Sequence, residues 1–296
     1  MSTQGPNLRR NPQRIALLTD SCADLTAKQR KGKPIFVLPL KIRCGTDEFS
    51  DGVDLTAQDV YRMQAAGMEM HTSLPDGGDV DAVLDEIAAA GFEKVLAIHL
   101  SGGLSGTYNL VRLHAAERSD LEAAVFDSSS GSLAIGSMLL QAWEDILAGM
   151  TWEELTARRV PALIANTWPY FSIDTLEYLQ KGGRIGKVTA LAGTMLNIKP
   201  VIGFAPDGQL VSVAKVRGRK AVQPKLEQLL AEKLRGHARY NLAVANGGAP
   251  DEMAELGKRL RAAFPNAENF WEGELDATLS TYIGAGVLGA CIQLLD

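Results

Sequence analysis

Cysteine and histidine are both scarce in this chain. Cys22, Cys44 and Cys291 lie far apart and form no CxxC pair, so the sequence indicates neither a disulfide framework nor a cysteine zinc site. The four histidines include no HxH or HxxxH pair, which argues against a metal centre built on histidine. No run of about 18 apolar residues occurs, so no membrane span is predicted. Unpaired thiols are typical of a reducing cytoplasm.

Basic residues are also fewer than acidic residues in this chain. The net charge of −5 argues against a general nucleic-acid binder, because such proteins need an excess of lysine and arginine to meet phosphates. The hydrophobic content of 46% and charged content of 22% are ordinary for a globular protein, and 296 residues are enough for two domains. Residues 1–13 are polar, so we expect a disordered tail there and not a signal peptide.

Apolar strands and amphipathic helices alternate through the first half of the chain. The predicted strands are 14–19, 34–42, 94–100 and 123–126, and the predicted helices are 56–66, 78–90, 104–116 and 132–148. Such alternation predicts a mainly parallel sheet, and we expect an N-terminal α/β domain at 14–165. Two strands end in Asp-Ser, at Asp20 and Asp127. These pairs either face one ligand crevice at the carboxyl ends of the strands or cap the turns that follow.

The pattern changes after residue 167. Two short apolar runs flank Pro206-Asp207-Gly208, which predicts a β-hairpin with its turn at the Asp-Gly pair. Further alternating elements are predicted at 221–235, 240–246, 251–263 and 268–271. We therefore expect a C-terminal α/β domain with a mixed sheet at 166–296.

Two hydroxyl-rich turns are candidates for an anion site. The segment 101–107, with the sequence SGGLSGT, follows a predicted strand and opens a helix. It offers free backbone N–H groups, hydroxyls and the positive end of a helix dipole, which suit a carboxylate or a phosphate. Thr72 and Ser73 precede Pro75, which keeps the chain extended and can aim both hydroxyls outward. Each segment can equally be an ordinary capped turn.

Three other patterns leave alternatives open. Residues 182–187 (GGRIGK) lack the P-loop spacing, so we expect no ATP site within this chain. Ser105 lies between a strand and a helix, which makes a serine esterase an alternative, although the second glycine of a nucleophile elbow is absent. A basic patch either docks a partner, steers an acyl phosphate, binds nucleic acid or is merely solvated. Its members are Arg184, Lys187, Lys199, Lys215, Arg217, Arg219 and Lys220.

Five sequence blocks carry a resemblance to a known family. They are LLTDSCADL (17–25), TSLP (72–75), HLSGGLSGTYN (99–109), FDSSSGSLAIG (126–136) and LEYLQKGGRIGKVTALAGTMLNIKPVIGFAPDGQLVSVAKVRGRKA (176–221). In content and order these blocks resemble the DegV family of bacterial fatty-acid-binding proteins. Together they span nearly the whole chain beyond the first dozen residues.

The resemblance implies both a fold and a function. It implies a two-domain DegV-like α/β fold with the ligand between the domains, and a long-chain fatty acid such as palmitate as that ligand. The chain would be the lipid-binding subunit of a bacterial fatty acid kinase, presenting the carboxylate to a separate ATP-binding subunit that forms an acyl phosphate. It would then be a cytoplasmic carrier with no cofactor, and not a stand-alone enzyme.

The resemblance also implies the residues that contact the head group. In the family, the threonine of the TSLP block and a serine of the SGGLSGT block hold the carboxylate, which correspond to Thr72 and Ser101 here. Neighbouring residues expected at this ligand-binding site are Ser73, Gly102 and Ser105. Residues expected to contact the head group or the partner are Tyr282, Arg184, Arg217 and Arg219.

Three positions depart from the family pattern. Gly102 stands where a second serine is usual, Asp76 where a serine follows the proline, and Tyr282 where a histidine precedes a Gly-Pro-Gly turn. Tyr282 can donate a hydrogen bond but cannot become cationic, and Asp76 is expected to point away from a bound carboxylate. Candidate tunnel walls, for each of which ordinary core is the default, are Met63, Met68, Leu74, Ile98, Leu104, Met195, Leu196 and Ile198.

Overall fold

The computed structural model describes residues 11–191 and 197–296 of the chain. Its strands there are β1 (Ile15–Asp20), β2 (Ile35–Leu38), β3 (Lys41–Cys44), β4 (Asp47–Ser50), β5 (Met70–Ser73), β6 (Lys94–His99), β7 (Glu122–Asp127), β8 (Thr167–Ser172), β9 (Ile198–Phe204), β10 (Leu210–Arg217), β11 (Tyr240–Gly247), β12 (Phe270–Glu274) and β13 (Val287–Leu294). Its α-helices are α1 (Ala27–Arg30), α2 (Ala57–Ala65), α3 (Gly77–Ala89), α4 (Thr107–Ala116), α5 (Leu133–Leu147), α6 (Trp152–Glu154), α7 (Val160–Ala165), α8 (Glu177–Lys181), α9 (Val222–Leu234), α10 (Pro250–Ala263) and α11 (Ala277–Ile283). Most of the predicted tail, residues 1–10, and the wall candidates Met195 and Leu196 lie outside the described residues.

The first sheet is parallel, as its sequence pattern predicts. Its strand order is β2-β1-β6-β7, and every neighbouring pair runs parallel. Both faces of the sheet are covered. Leu18 of β1 packs with α3 and α4 on one face, and Leu17 joins the core that contains α5 on the other. Burial on both faces explains why these strands read as continuous apolar runs.

A proline divides one predicted strand into two. The predicted strand at 34–42 is wrong as a single element, because β2 ends at Leu38 and β3 starts at Lys41. Pro39 lies between them and has no N–H to continue a ladder. After Pro39 the chain leaves the parallel sheet and builds a separate antiparallel sheet with the order β4-β3-β5.

The third sheet is mixed, and it contains the predicted hairpin. Its order is β10-β9-β8-β13-β11-β12, and within this sheet, as far as the structure describes it, β11 and β12 form the one parallel pair. The turn between β9 and β10 is closed by a hydrogen bond from Gly208 N to Ala205 O at 2.8 Å. Gly208 has a φ of +74°, which suits glycine.

Helix α5 joins the two larger sheets into one core. It contacts β6 of the parallel sheet and β8, β11, β12 and β13 of the mixed sheet. Every residue from Leu133 to Trp143 is buried, as expected of a helix that is apolar on all sides. The chain passes from α7 to β8 between Ala165 and Thr167, and the division into domains at 165/166 remains a prediction. No helix of the described segments is long and apolar enough to cross a membrane.

Shortening an α5 side chain is expected to destabilise both larger sheets. Leu139 is fully buried between them, so Leu139→Ala should lower the free energy of unfolding by about 2–5 kcal/mol through lost burial and a new cavity. Glu144→Ala on the exposed side of α5 is the control and should stay within about 0.5 kcal/mol of the parent. Urea unfolding followed by circular dichroism measures both, and equal effects would contradict the central position of α5.

Candidate functional site

A cavity of about 330 Å³ lies between the mixed sheet and the two other sheets. Its lining is mainly apolar and comes from both halves of the chain. The large apolar side chains are Leu40, Leu74, Leu100, Leu104, Leu133, Phe171, Leu179, Phe204, Leu210, Leu275, Leu279, Ile283 and Val287. Leu74 and Leu104 were predicted as walls and line the cavity, whereas Met63, Met68, Ile98 and Ile198 are absent from the lining.

Small residues on the mixed sheet leave the space open. Ala243 and Ala245 of β11 and Gly289 and Cys291 of β13 face the cavity. On β11 the alternate residues Leu242 and Val244 point to the opposite face, into the core beneath α9 and α10. The sequence therefore alternates large and small along β11, so that one face packs against helices while the other stays recessed. Our sequence interpretation missed this signal because it treated 240–246 only as a strand.

One end of the cavity reaches the surface. Leu74, Gly106 and Arg184 line the cavity and are also exposed, and we call this end the mouth. Arg184 is the one formally charged residue in the lining of the described cavity. Its Nε donates to Leu104 O at 3.3 Å and its Nη1 donates to Gly182 O at 2.8 Å, so the side chain bridges two segments at the mouth.

Thr72 and Tyr282 meet at the mouth, between a strand and a helix. The Thr72 Oγ1 and Tyr282 Oη atoms are 2.6 Å apart. Thr72 is held by β5, and Tyr282 lies in the last turn of α11, a helix that our sequence interpretation did not predict. The Arg184 guanidinium lies 5.2 Å from the centre of the Tyr282 ring. A Cβ at position 182 would overlap the Tyr282 ring, so Gly182 gives the ring its room.

Two more of the predicted hydroxyls lie at this end. Ser105 lines the cavity, and its Oγ is 2.9 Å from Thr107 Oγ1. Ser73 also contributes to the lining, and its Oγ is buried with no hydrogen-bond partner among the described residues. The structure thus brings Thr72, Ser73, Ser105, Arg184 and Tyr282 to one cavity.

Ser101 and Gly102 are placed elsewhere. Ser101 is fully buried, and its Oγ donates to Gly208 O at 2.7 Å and accepts from Gly103 N at 3.2 Å. Gly102 N donates to Asp127 Oδ1 at 3.0 Å. Neither residue lines the cavity. The prediction that Ser101 holds a ligand thus has no support in this geometry, because the hydroxyl instead joins the SGGLSGT loop to the β9–β10 turn.

The departures from the family pattern fit their surroundings. Asp76 is exposed at the start of α3 and does not line the cavity, as expected. A Cβ at position 102 would lie 2.6 Å from Asp127 Oδ2, so a serine there would displace that carboxylate. Asp20 Oδ1 accepts from Cys22 N, and Asp127 Oδ1 accepts from Ser129 N as well as from Gly102 N. These bonds favour the capping interpretation of the two Asp-Ser pairs.

The basic patch does not form one open surface. Arg219 pairs with Glu252 at 2.7 Å, and Lys199 pairs with Asp174 at 2.7 Å. Arg217 is exposed on β10, with no ion pair recorded for it in the described segments. Of the three predicted arginines, only Arg184 lines the cavity, and Arg217 and Arg219 lie away from it.

The geometry does not favour an esterase at Ser105. Among the described residues, the hydroxyl of Ser105 is bonded to Thr107 and to no histidine. His99 is fully buried, with Nδ1 3.0 Å from Asp20 Oδ2. A Ser-His pair within hydrogen-bond reach is the signature of an activated serine, and the described residues do not contain one at Ser105.

Burial keeps the inner lining uncharged at neutral pH. Desolvation raises the pKa of Tyr170 to about 12 and raises the pKa of the Cys291 thiol well above its usual value. Both groups therefore stay protonated. The inner walls suit hydrocarbon, while hydroxyls and a single guanidinium gather at the mouth.

The fold and the site define a class of protein: an α/β protein of parallel and mixed sheets that encloses an apolar cavity with a hydroxyl-lined mouth. A family model described as an uncharacterised protein of the DegV family matches residues 14–294. The chain therefore belongs to the DegV family, which confirms the resemblance seen in its sequence blocks.

Relatives of known sequence and structure agree with this assignment. A DegV domain-containing protein of Clostridium acetobutylicum is 33% identical over 280 residues, covering 95% of this chain and 99% of the relative. A structure described as fatty acid binding of a DegV family protein from Thermus thermophilus matches with a TM-score of 0.89 and 30% identity, covering 95% of this chain and 100% of that one. DegV, a fatty acid binding protein from Bacillus subtilis, matches with a TM-score of 0.84 and 27% identity, covering 95% and 99%. The predicted α/β fold class is confirmed.

Two serines four residues apart are expected to respond differently to substitution. Ser101→Ala removes the donor to the buried Gly208 carbonyl and should lower the free energy of unfolding by about 1–3 kcal/mol. Ser105→Ala removes only two local contacts with Thr107 and should change the free energy of unfolding by less than about 0.5 kcal/mol. Urea unfolding of both variants makes the comparison. Equal stability of the two variants would argue against a structural role for Ser101.

Proposed function

We propose that this chain binds one long-chain fatty acid in the cavity, with the hydrocarbon among the apolar walls and the carboxylate at the mouth. The observation that carries the proposal is an apolar cavity with Thr72, Ser105, Tyr282 and Arg184 gathered at its exposed end. The descriptions of the Thermus thermophilus and Bacillus subtilis relatives as fatty acid binding support the same ligand class.

Burial of the hydrocarbon supplies the affinity. Each methylene removed from water contributes about 0.8 kcal/mol, so roughly 15 methylenes give about 12 kcal/mol before the ordering costs of binding. The hydroxyls of Thr72, Ser105 and Tyr282 then donate hydrogen bonds to the carboxylate without adding charge inside the cavity. In this proposal Arg184 at the mouth supplies the positive charge, since the Tyr282 phenol cannot become cationic as an imidazole can.

The proposal extends to a partner that carries out the chemistry. The sequence offers no P-loop, so a separate ATP-binding subunit of a fatty acid kinase would provide the nucleotide in the cytoplasm. A carboxylate oxygen would attack the γ-phosphorus of ATP, forming an acyl phosphate and releasing ADP. A head group held beside the exposed Arg184 is near the surface, where such a partner could reach it. This chain then acts as a carrier that presents its substrate, with palmitate as one candidate ligand.

Filling the cavity is expected to abolish lipid uptake. Ala245→Phe would insert a ring into the space beside β11, whereas Ala245→Ser nearly preserves the side-chain size and is the matched control. Native mass spectrometry should detect one fatty acid on the parent protein and on Ala245→Ser, and none on Ala245→Phe. The proposal fails if the folded parent neither carries a lipid after purification nor takes up an added fatty acid.

Removing the Thr72 hydroxyl is expected to weaken binding of the acid selectively. Thr72→Val keeps the side-chain shape but removes a hydrogen bond to a charged group, worth about 1.5–3 kcal/mol or roughly 10- to 150-fold in Kd. Fluorescent fatty acid displacement measures the affinity. A fatty acid methyl ester is the control ligand, and its affinity should change little. Equal losses for acid and ester would place the head group away from Thr72.

A further inference from the structure

Three aspartates from separate segments meet at the start of α11. Asp24 follows β1, Asp51 follows β4, and Asp276 directly precedes the helix. Asp24 Oδ1 accepts from Asp276 N at 2.8 Å. Asp51 accepts from Ala277 N at 3.0 Å and from Thr278 N at 3.2 Å. We call Asp24, Asp51 and Asp276 the aspartate cluster.

The cluster satisfies every free N–H group at this helix end. Asp276 Oδ1 accepts from Leu279 N at 2.7 Å, which completes four consecutive backbone donors from Asp276 to Leu279. The first N–H groups of a helix have no partner within the helix, so outside acceptors fix its position. Asp24 follows a strand of the parallel sheet and Asp51 follows a strand of the antiparallel sheet, so the cluster ties α11 to both of these sheets.

The three carboxyl groups cannot all be charged at low cost. Burial raises the pKa of Asp24 to about 7, and burial together with the charges of Asp51 and Asp24 raises the pKa of Asp276 well above its usual value. Asp276 Oδ2 is buried and receives no donor among the described residues. A proton on that oxygen would be shared with the neighbouring carboxylates and relieve their repulsion.

No recorded ion pair neutralises the cluster in the described part of the chain. The other titratable groups facing it are Cys22, Tyr61, Asp20 and Glu274, and Arg30 lines the same open groove of about 450 Å³. The pKa of Cys22 is raised well above its usual value and that of Tyr61 to about 12, mainly by burial, so both stay neutral. Asp20 and Glu274 add like charge. A bound proton would therefore relieve the repulsion among the carboxylates of the cluster.

The helix that the cluster holds also forms part of the cavity. Thr278, Leu279, Tyr282 and Ile283 of α11 line the cavity, and Tyr282 reaches Thr72 at the mouth. The hydroxyl of Ser132, another lining residue, donates to Asp24 Oδ2. A change in the cluster thus reaches the lining through one short helix and one hydroxyl.

We propose that a proton held by the aspartate cluster positions α11, and that loss of this proton loosens the helix and weakens binding at the Thr72–Tyr282 end of the cavity. Asp24, Asp51 and Asp276 are positioning residues, since none of them lines the cavity. The consequence for ligand affinity rests on the proposed fatty-acid function, whereas the consequence for stability does not.

The direction of the pH effect follows from the raised pKa of Asp24. Because the folded-state pKa lies above the unfolded value of 3.8, the protonated carboxyl contributes stability that is complete below about pH 3.8 and is lost progressively as the pH rises through about 7. We therefore expect the protein to be less stable, and to bind its ligand more weakly, at pH 8 than at pH 5.5. The expected rise in Kd is on the order of tenfold.

The Asp276→Asn variant mimics the protonated state at every pH. Its Oδ1 can still accept from Leu279 N, and its Nδ2 can donate to the neighbouring carboxylates where Oδ2 has no donor. The ligand-free variant should melt a few degrees higher than the parent at pH 8, with a smaller difference at pH 5.5. The ratio of parent to variant Kd for a long-chain fatty acid should rise with pH, and this ratio cancels the titration of the fatty acid itself.

Asp59→Asn is the matched control. Asp59 accepts from Thr56 N at the start of α2, is partly exposed to solvent, and has its pKa lowered, mainly by the Thr56 hydroxyl. Its titration lies below pH 5.5, so it should not alter the pH profile between pH 5.5 and pH 8. Asp24→Asn provides a second test if Asp276→Asn fails to fold.

The two readouts separate this inference from the proposed function. If the parent and Asp276→Asn show the same pH profile for melting, the cluster does not hold the proton and the inference is overturned, whatever the protein binds. If the melting profiles differ but the Kd ratio is flat with pH, the link from the cluster to the cavity is overturned. A protein that binds no fatty acid would still show the melting difference, and only the proposed function would then fall.

Discussion

The cavity depends on the short side chains that the mixed sheet presents to the rest of the molecule. Protein interiors are packed to a density of about 0.74 and contain few voids larger than a water molecule. Ala243, Ala245 and Gly289 cannot fill the gap opposite Leu133 and Leu279, so atoms on both sides lose packing partners. Such a gap weakens the fold when it is empty, and a hydrocarbon ligand would restore the lost contacts. Stability and ligand capacity are thus opposed at the same few positions.

Polar contacts at the edges of the cavity fix the relative positions of the segments around it. The bond from Ser101 to Gly208 joins the SGGLSGT loop to the β9–β10 turn, and the Thr72–Tyr282 contact joins β5 to α11. Both links are directional, and they define spacing more sharply than apolar contacts do. The segments at the edge of the cavity are therefore held in place beside an apolar interior that by itself would specify their positions less sharply.

Local patterns predicted the elements that depend on local chemistry. The alternation of apolar strands and helices gave the parallel sheet, and the Asp207-Gly208 pair gave the β9–β10 turn. The sequence patterns failed to predict elements that depend on contacts between distant segments. Helix α11 has the sequence ATLSTYI, whose polar residues hide its periodicity, and it is stabilised at its start by Asp24 and Asp51 from distant segments. Strand β5 was missed because it is four residues long and its partner β3 was merged with β2.

The roles of single hydroxyl groups at the site were equally hard to predict from the sequence. Ser101 and Ser105 belong to one loop and have the same chemistry, and a family pattern alone assigned the first to the ligand. Ser101 finds the carbonyl of Gly208, which is 107 residues away in the chain, and so becomes part of the framework. Within the described segments, the Ser105 hydroxyl forms hydrogen bonds with Thr107 alone, and it keeps its place in the cavity lining. The role of a hydroxyl is thus decided by the acceptors that the fold brings to it, and these cannot be read from spacing.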